Sequence, residues 1–474
     1  MNKWQQGEKV ELTIADLSDD GNGVGRYQDR VVFVPDTVPG DHIQVKLLQV
    51  KPKFARGKLE KILEASARRI RPACIVADKC GGCQWQQVDY AYQLIAKRNQ
   101  IIQALERIGG FQNPPVGEMI ASPTPLTYRN KATYPLGVSA TGQVQAGYFR
   151  KNSHRLINLN QCPIQDQRLN PLLTHIKQDI QAHGWPIYNE AKHAGIIRHL
   201  SLRIGRRTGE TLLTLVINRV PGNPEPNRLG TTAVNAQSFG VAGLGAQAER
   251  WLEDYPQLVG VCVNFNPSPG NVIFGESTIC VAGRGYLEEE FAGLTFQLAP
   301  DTFFQVNTEV AEALLLWIQQ QLNLQGDEVI VDAYCGIGAL TLPLAQQAQQ
   351  VIGMEVQKTA TAQAQQNAAI NNITNVTFQV GTVETLLPLL AANPDIVLVD
   401  PPRKGCNQAV IDALLKLHPH RIVYMSCKPS TLARDLKLLC ESGHYKLTQV
   451  QPADFFPQTA HVECVAILKR DFVV

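Results

Sequence analysis

Segments near the end of the chain hold side chains suited to covalent catalysis. Ser426-Cys427-Lys428-Pro429-Ser430-Thr431 follows an apolar run over 421–425, which sets Cys427 at the carboxyl end of a strand and just before a helix. Leu432, Leu436 and Leu439 share one face of that helix. The helix start and neighbouring Lys428 are expected to lower the thiol pKa and favour the nucleophilic thiolate. Without such company a cysteine is more often an inert packing residue. The last strand opens His461-Val462-Glu463-Cys464-Val465, and an earlier strand over 396–399 delivers Asp400-Pro401-Pro402-Arg403-Lys404-Gly405. An antiparallel last strand would begin at the edge where the others end, so that Glu463 faces Cys427 and Asp400 across one pocket. A thiolate and a carboxylate in one pocket can add sulfur to an electron-poor carbon and then remove a proton.

A further group of residues suits a nucleoside cofactor. A strand over 328–333 runs into Asp332-Ala333-Tyr334-Cys335-Gly336-Ile337-Gly338, with a helix expected from about Ala339. Glycines at a strand-to-helix turn let a ligand approach the backbone closely. A dinucleotide loop would place a third glycine where this chain has Thr341, so no pyrophosphate cradle is evident and NAD and FAD are disfavoured. The next strand ends in Glu355, suited to accept hydrogen bonds from a ribose diol. These features point to S-adenosylmethionine. Methyltransferases that act on amino groups often carry an aromatic residue after the paired prolines, to stack on the base. Arg403 occupies that position and disfavours such chemistry.

In this order, the segments 332–338, 400–405, 426–431 and 461–464 resemble the RNA uracil-5-methyltransferase family, and the likeness extends over essentially the whole chain. It implies that Cys427 is the nucleophile and Glu463 the general base. It also implies that Gln305, in Phe303-Phe304-Gln305-Val306-Asn307, joins Tyr334, Glu355 and Asp400 around S-adenosylmethionine. Thiolate attack on carbon six of uracil makes carbon five nucleophilic, and loss of the proton from carbon five then frees the sulfur. The base must leave its stack to reach Cys427, and Phe303 is expected to hold it. An adenine contact expected after the third strand stays unassigned, with Thr382 and Glu384 nearby. Cytosine-5 enzymes place a cysteine directly after the proline of the Asp400-type motif, whereas here Arg403 follows Pro402 and Cys406 lies further on.

Cys74, Cys80-Gly81-Gly82-Cys83 and Cys162-Pro163 are candidate metal ligands, and spacing alone leaves zinc and an iron–sulfur cluster both open. The arrangement resembles the 4Fe–4S motif of many bacterial 23S rRNA uracil-5-methyltransferases and some archaeal tRNA enzymes, which implies Cys74, Cys80, Cys83 and Cys162 as ligands. Radical S-adenosylmethionine enzymes usually use three cysteines in a CxxxCxxC pattern. The longer first gap and the fourth cysteine suggest instead a closed, structural cluster. Cys262, Cys280, Cys335, Cys406, Cys440 and Cys464 read as packing residues. By the same likeness the substrate is 23S rRNA, with the T-loop uridine of tRNA as the alternative. A non-catalytic RNA-binding or ribosome-assembly role is the reading of a different class, and the pairing of Cys427 with Glu463 argues against it.

The elements that must position these residues suggest a multidomain α/β protein. Short β-rich runs over 10–14, 31–34, 42–47 and 57–62 are separated by turn clusters, which predicts an OB-like barrel over 1–64. Asp19-Asp20-Gly21-Asn22-Gly23-Val24-Gly25 and Val38-Pro39-Gly40-Asp41 make it resemble a TRAM domain, an RNA-binding attachment. A central α+β domain is expected over 65–302. It has strand-rich stretches at 128–131, 143–149 and 196–217, a helix over 171–181 capped by Asn170, and a loop over 221–245. Over 303–474 strands alternate with helices, as in the Rossmann-like class I methyltransferase fold with its reversed seventh strand.

The length of 474 residues fits two or three domains, and 44% hydrophobic with 18% charged residues is a globular composition. A net charge of +2 says little about partners, but two basic clusters stand out. Lys51, Lys53, Arg56, Lys58, Lys61, Arg68, Arg69 and Arg71 form one, and Arg198, Arg203, Arg206 and Arg207 the other. Either is a candidate for neutralising RNA phosphates. The start, MNKWQQGEKVEL, has no apolar signal-peptide core, and no run of about eighteen apolar residues occurs, so a cytoplasmic protein without a membrane partner is expected. A monomer is the expected state. Eleven cysteines without an export signal are not read as disulfides.

Overall fold

The structure is a computed structural model that describes residues 4–28, 30–220 and 240–471. Most of the expected loop over 221–245 therefore lies outside the described residues, and its last two residues already begin a helix. Strands β1 (Lys9–Leu17), β2 (Gly23–Tyr27), β3 (Arg30–Val34), β4 (His42–Val50) and β5 (Phe54–Glu64) close a barrel in the order β1-β2-β3-β5-β4. β1 alternates over 9–14, sending Val10, Leu12 and Ile14 inward and Lys9, Glu11 and Thr13 outward. β2 hides in the sequence because two of its residues are glycines. A Cβ on Gly23 would lie 2.0 Å from Thr37 Oγ1, so close strand contact, not β propensity, fixes the residue type. Arg69 leaves the first basic cluster. Its guanidinium bonds Asp41, a fully buried carboxylate that also accepts from the amides of Val38 and Ser66.

After α1 (Tyr90–Arg107), the middle region builds one seven-stranded sheet. Its strands are β6 (Lys131–Val138), β7 (Val144–Phe149), β8 (Leu156–Asn158), β9 (Ile197–Ile204), β10 (Thr211–Ile217), β11 (Leu258–Phe265) and β12 (Ser277–Gly283), in the order β12-β11-β10-β9-β6-β7-β8. Helices α2 (Leu169–Ala182) and α3 (Leu244–Asp254) pack on it through Leu172, Ile176, Leu244 and Trp251. Asn170 is not the cap of α2. The helix begins one residue before it, and the Asn170 side-chain oxygen is buried without a partner.

The second basic cluster is not an RNA surface. Arg198 and Arg203 are buried, and they donate to the backbone oxygens of Asn266, Ser268, Ala299 and Thr302. Arg206 pairs with Asp166 and Glu309, and Arg207 with Glu312. Arg206 and Arg207 thereby tie the central sheet to the helix over 308–322, while Arg198 and Arg203 hold the segments that leave that sheet, a buried guanidinium needing acceptors for its donors.

The hairpin β13 (Leu287–Phe291) and β14 (Leu294–Leu298) shares a core with α4 (Thr308–Leu322). There follow β15 (Val329–Ala333), α5 (Thr341–Ala345), β16 (Gln350–Glu355), α6 (Lys358–Ile370), β17 (Val376–Val380) and α7 (Val383–Leu386). The remainder is β18 (Ile396–Val399), α8 (Gln408–Leu417), β19 (Arg421–Ser426), α9 (Pro429–Glu441), β20 (Tyr445–Ala453) and β21 (Glu463–Arg470). The sheet order is β17-β16-β15-β18-β19-β21-β20, parallel as far as β19, with β21 antiparallel to both neighbours. One face carries α4 and α6, and the other α8, α9 and α1, whose Ile101 and Leu105 join Leu432 and Leu436. Residues Val116 and Ile120 extend the sheet beyond β20 through bridges to Val450 and Ala453. Among the described residues no helix is long and apolar enough to cross a membrane.

Candidate active site

The carboxyl edge of the C-terminal sheet collects the chemistry. Past β15 the chain turns sharply at Tyr334, whose φ of +71° is costly for a bulky residue. The turn is held by the amides of Tyr334 and Cys335, which both donate to Met354 O at 3.0 Å. Gly336 and Gly338 also have positive φ. Thr341, standing where a dinucleotide loop would have glycine, donates its hydroxyl to Asp332 at 2.6 Å and so ties the helix start to the strand end. Burial pushes the Asp332 carboxyl up to about 7.

Gln305, Tyr334 and Asp400 line one cleft of about 650 Å³ together with Asp332, Gly336 and Met425. Phe303, 68% exposed, stands in the same wall. Glu355 is not part of that wall. Its carboxylate turns onto the glycine loop, accepting from Gly336 N–H at 3.1 Å and Gln357 N–H at 2.8 Å. A carboxylate has about four acceptor sites, so capacity remains for a diol. The segment before α4 that carries Gln305 is fixed from the central sheet, where Asn130 donates to Gln305 O at 2.9 Å and to Val306 O at 3.0 Å.

Cys427 and Glu463 meet as the topology requires. The β19–β21 ladder ends at the pair Ser426–Cys464, and the next residue of each chain segment is Cys427 on one side and Glu463 on the other. The charges around the thiol differ from the expectation that it is lowered. Burial pushes the Cys427 thiol up, the Glu463 and Asp400 carboxyls raise it further, and Arg403 pulls it down; Lys428 has no resolved part in this. Burial, then Asp400, raises the Glu463 carboxyl to about 8, against a smaller pull from Arg403. Burial takes Asp400 to about 6.

Asp435 was not singled out in the sequence, yet it fixes the loop carrying Asp400 and Arg403. Fully buried on α9, it accepts from Tyr424 Oη at 2.5 Å and Cys406 N–H at 2.8 Å, while Arg434 donates to Lys404 O at 3.0 Å. The signal was available. Asp435 falls on the same helical face as Leu432, Leu436 and Leu439, and an acid on an apolar stripe implies a buried partner.

A groove of about 2440 Å³ leads from the barrel to the thiol, walled by Arg26, Phe33, Arg107, Arg403, Cys427 and His461. Cys80, Cys83 and Cys162 are buried and Cys74 is partly exposed. Cys83 and Cys162 pack with Tyr128 and Ile164. Burial, with the other cysteines of the group adding to it, takes the Cys83 thiol to about 11 and that of Cys162 to about 12. Among the described residues no group of three or more His, Cys, Asp or Glu is placed to hold a metal ion.

The sequence profile of the tRNA (uracil-5-)-methyltransferases matches residues 281–471, and that of the TRAM domain residues 3–59. An uncharacterised RNA methyltransferase of Nostoc sp. is 62% identical over 465 residues, covering 98% of this chain and 97% of that protein. The chain belongs to the RNA uracil-5-methyltransferase family. An uncharacterised RNA methyltransferase of Bacillus cereus is 37% identical over 469 residues, covering 98% and 97% of the two chains. Among solved structures, the Pyrococcus abyssi tRNA (uracil-54, C5)-methyltransferase in complex with S-adenosyl-L-homocysteine superimposes with a TM-score of 0.74 at 26% identity, over 97% of this chain and all of that one. As a uracil-5-methyltransferase the protein uses S-adenosylmethionine, acts on RNA and carries a TRAM domain as its N-terminal barrel.

Proposed function

We propose that this enzyme methylates carbon five of a uridine in 23S rRNA through a covalent cysteine adduct. The observation that carries the mechanism is the meeting of Cys427 and Glu463 at the end of the β19–β21 ladder. S-adenosylmethionine supplies an electrophilic methyl group when bound. Gln305, Tyr334 and Asp400 would hold it in their cleft, with Glu355 toward the ribose. The raised carboxyls of Asp332 and Asp400 suit a neighbouring cation, which would restore their ionised forms.

Cys427 Sγ forms a bond to carbon six of the uracil as the C5–C6 π bond opens, and carbon five gains the electron density to take the methyl group, whose bond to the sulfonium would break to leave S-adenosylhomocysteine. Glu463 then takes the proton from carbon five. The electrons of that C–H bond restore the C5–C6 double bond, the C6–S bond breaks, and Cys427 returns as thiolate. Arg403, which opposes the carboxyls around Cys427, favours the attacking form. Cys427→Ala should abolish methylation and adduct together, whereas Glu463→Gln should let the adduct accumulate. Methylation by the Cys427→Ala variant would refute the mechanism.

The barrel combined with four cysteines supports the choice of 23S rRNA. We take Cys74, Cys80, Cys83 and Cys162 as the ligands of a 4Fe–4S cluster. Buried thiols that raise one another are the donor set that a positively charged centre relieves, and Gly82 N–H already points at Cys80 Sγ at 3.4 Å. Iron and acid-labile sulfide should be present in the purified protein; zinc in their place would contradict the cluster. In this reading 1–64 binds RNA, 65–302 bears the cluster and 303–474 performs methyl transfer. The described cysteines are all unpaired, which accords with a reducing compartment such as the cytoplasm. The Pyrococcus abyssi structure favours a second reading, tRNA as substrate. Transcripts of each RNA, incubated with labelled S-adenosylmethionine, separate the two, and label in tRNA alone overturns the first.

A further inference from the structure

Glu463 is the first residue of β21, and its cross-strand partner Ala453 is the last of β20, so the loop over 454–462 determines where the carboxylate stands. This loop is fastened by residues remote in sequence. At its centre Gln458 has φ +72°, a left-handed conformation that side chains other than glycine rarely adopt. Its polar groups are met from outside the loop. Gln458 N–H donates to Gln93 Oε1 at 2.9 Å, and Gln93 Nε2 donates back to Gln458 Oε1 at 3.1 Å. The Gln458 carbonyl accepts from the amides of Gln84 at 3.1 Å and Trp85 at 3.0 Å. Lys97 Nζ donates to Asp454 Oδ1 at 2.6 Å, a fully buried pair, and to Phe456 O at 3.0 Å. Tyr128 Oη donates to Pro457 O at 3.2 Å.

Gln93 is itself rigid, since its Nε2 also reaches Trp85 O at 3.1 Å and Val88 O at 2.9 Å. The buttress is contiguous with Cys83 and with the barrel, where Trp85 Nε1 donates to Gly21 O at 3.2 Å. A strained residue persists only where its surroundings over-determine it. The surroundings here are one surface of α1 and the segment leading into it.

We propose that Gln93 and Lys97 on α1, with Gln458, are positioning residues for Glu463, holding its carboxylate where the proton on carbon five arrives. The inference rests on the reading of Glu463 as the base. These residues touch neither the cofactor cleft nor Cys427, so their loss falls chiefly on breakdown of the adduct and little on its formation.

The test uses the full-length protein with S-adenosylmethionine and whichever RNA transcript the wild type methylates. Under single-turnover conditions, methyl transfer and the decay of the denaturation-resistant protein–RNA adduct are followed separately. Gln93→Met should keep methyl transfer within about twofold and slow adduct decay by roughly ten- to a hundredfold, the usual cost of a slightly misplaced catalytic group. Gln458→Gly should do the same. It is the safeguard against misfolding, because glycine takes the positive φ freely, the backbone bonds to Gln93, Gln84 and Trp85 stay available, and only the side-chain bonds to Gln93 and Pro125 are lost. In both variants amide hydrogen exchange should quicken over 456–463 and stay unchanged in the barrel. Equal slowing of both steps, or no slowing of decay, overturns the proposal provided that Glu463→Gln traps the adduct. If Glu463→Gln traps nothing, the assignment of the base fails first, and the positioning role falls with it.

Discussion

Two charged environments at Glu463 and Cys427 make the site sensitive to pH. Glu463 removes a proton only as carboxylate, so with its carboxyl at about 8 adduct decay should rise with pH through that value and level off above it. The same shift affects stability. A carboxyl raised in the folded state from an ordinary value near 4.3 favours the protonated protein, and that stability is lost as pH climbs from about 4.3 to about 8. Glu463→Gln imitates the protonated form. Its Tm relative to wild type should therefore be near zero difference at about pH 4, increasingly higher toward about pH 8 and level above that, as thermal scans would read. Arg403 is the cation that draws the Cys427 thiol down, so Arg403→Gln should slow adduct formation by a few fold, most at low pH. The types of Cys427, Glu463 and Asp400 were legible because each ends or begins a strand with a distinctive neighbour. The direction of the thiol shift was not, because it depends on burial and on two carboxylates brought in by other strands.

At the scale of elements, the strands of the C-terminal sheet could be read from apolar runs closed by turn residues, and so could the reversal that brings β21 beside β19. Contacts between elements were less visible. β2 is masked by glycines chosen for close packing, and the true start of α2 is set by the chain before it, not by Asn170. Asp435 joins α9 to the loop over 400–406. Asp435→Ala would leave the buried Cys406 amide and Tyr424 hydroxyl without their acceptor. Unfolding in urea should show a loss of roughly 2–4 kcal/mol, the range for breaking a buried hydrogen-bond network. Methyl transfer should fall as well, since Asp400 and Arg403 sit on the loop that is released.

For the whole molecule, charge had to be sorted into structure and surface, which composition could not do. The arginines at 198, 203, 206 and 207 read as a phosphate patch, but Arg198 and Arg203 prove to be buried and Arg206 and Arg207 to be held in ion pairs, whereas Lys58 and Lys61 stand exposed on the barrel strand β5. Lys58→Gln with Lys61→Gln should weaken RNA binding and reduce the slope of log affinity against log salt by about 1–2, as expected when phosphate contacts are removed. Arg206→Gln should leave that slope unchanged and lower the Tm instead. The catalytic groove makes the same point about scale. Its walls come from the barrel, α1, the loop over 400–406 and the loop before β21, and no single stretch of sequence announces it.

The central claim is that one sulfur carries the RNA while one carboxylate releases it. The most direct measurement is peptide mass spectrometry of Glu463→Gln after reaction with S-adenosylmethionine and substrate RNA, followed by nuclease and protease digestion. The account predicts a methylated uridine nucleotide attached to the peptide bearing Cys427. The same mass on a different cysteine, or methylated RNA with no attached peptide at any time during the reaction, would contradict it.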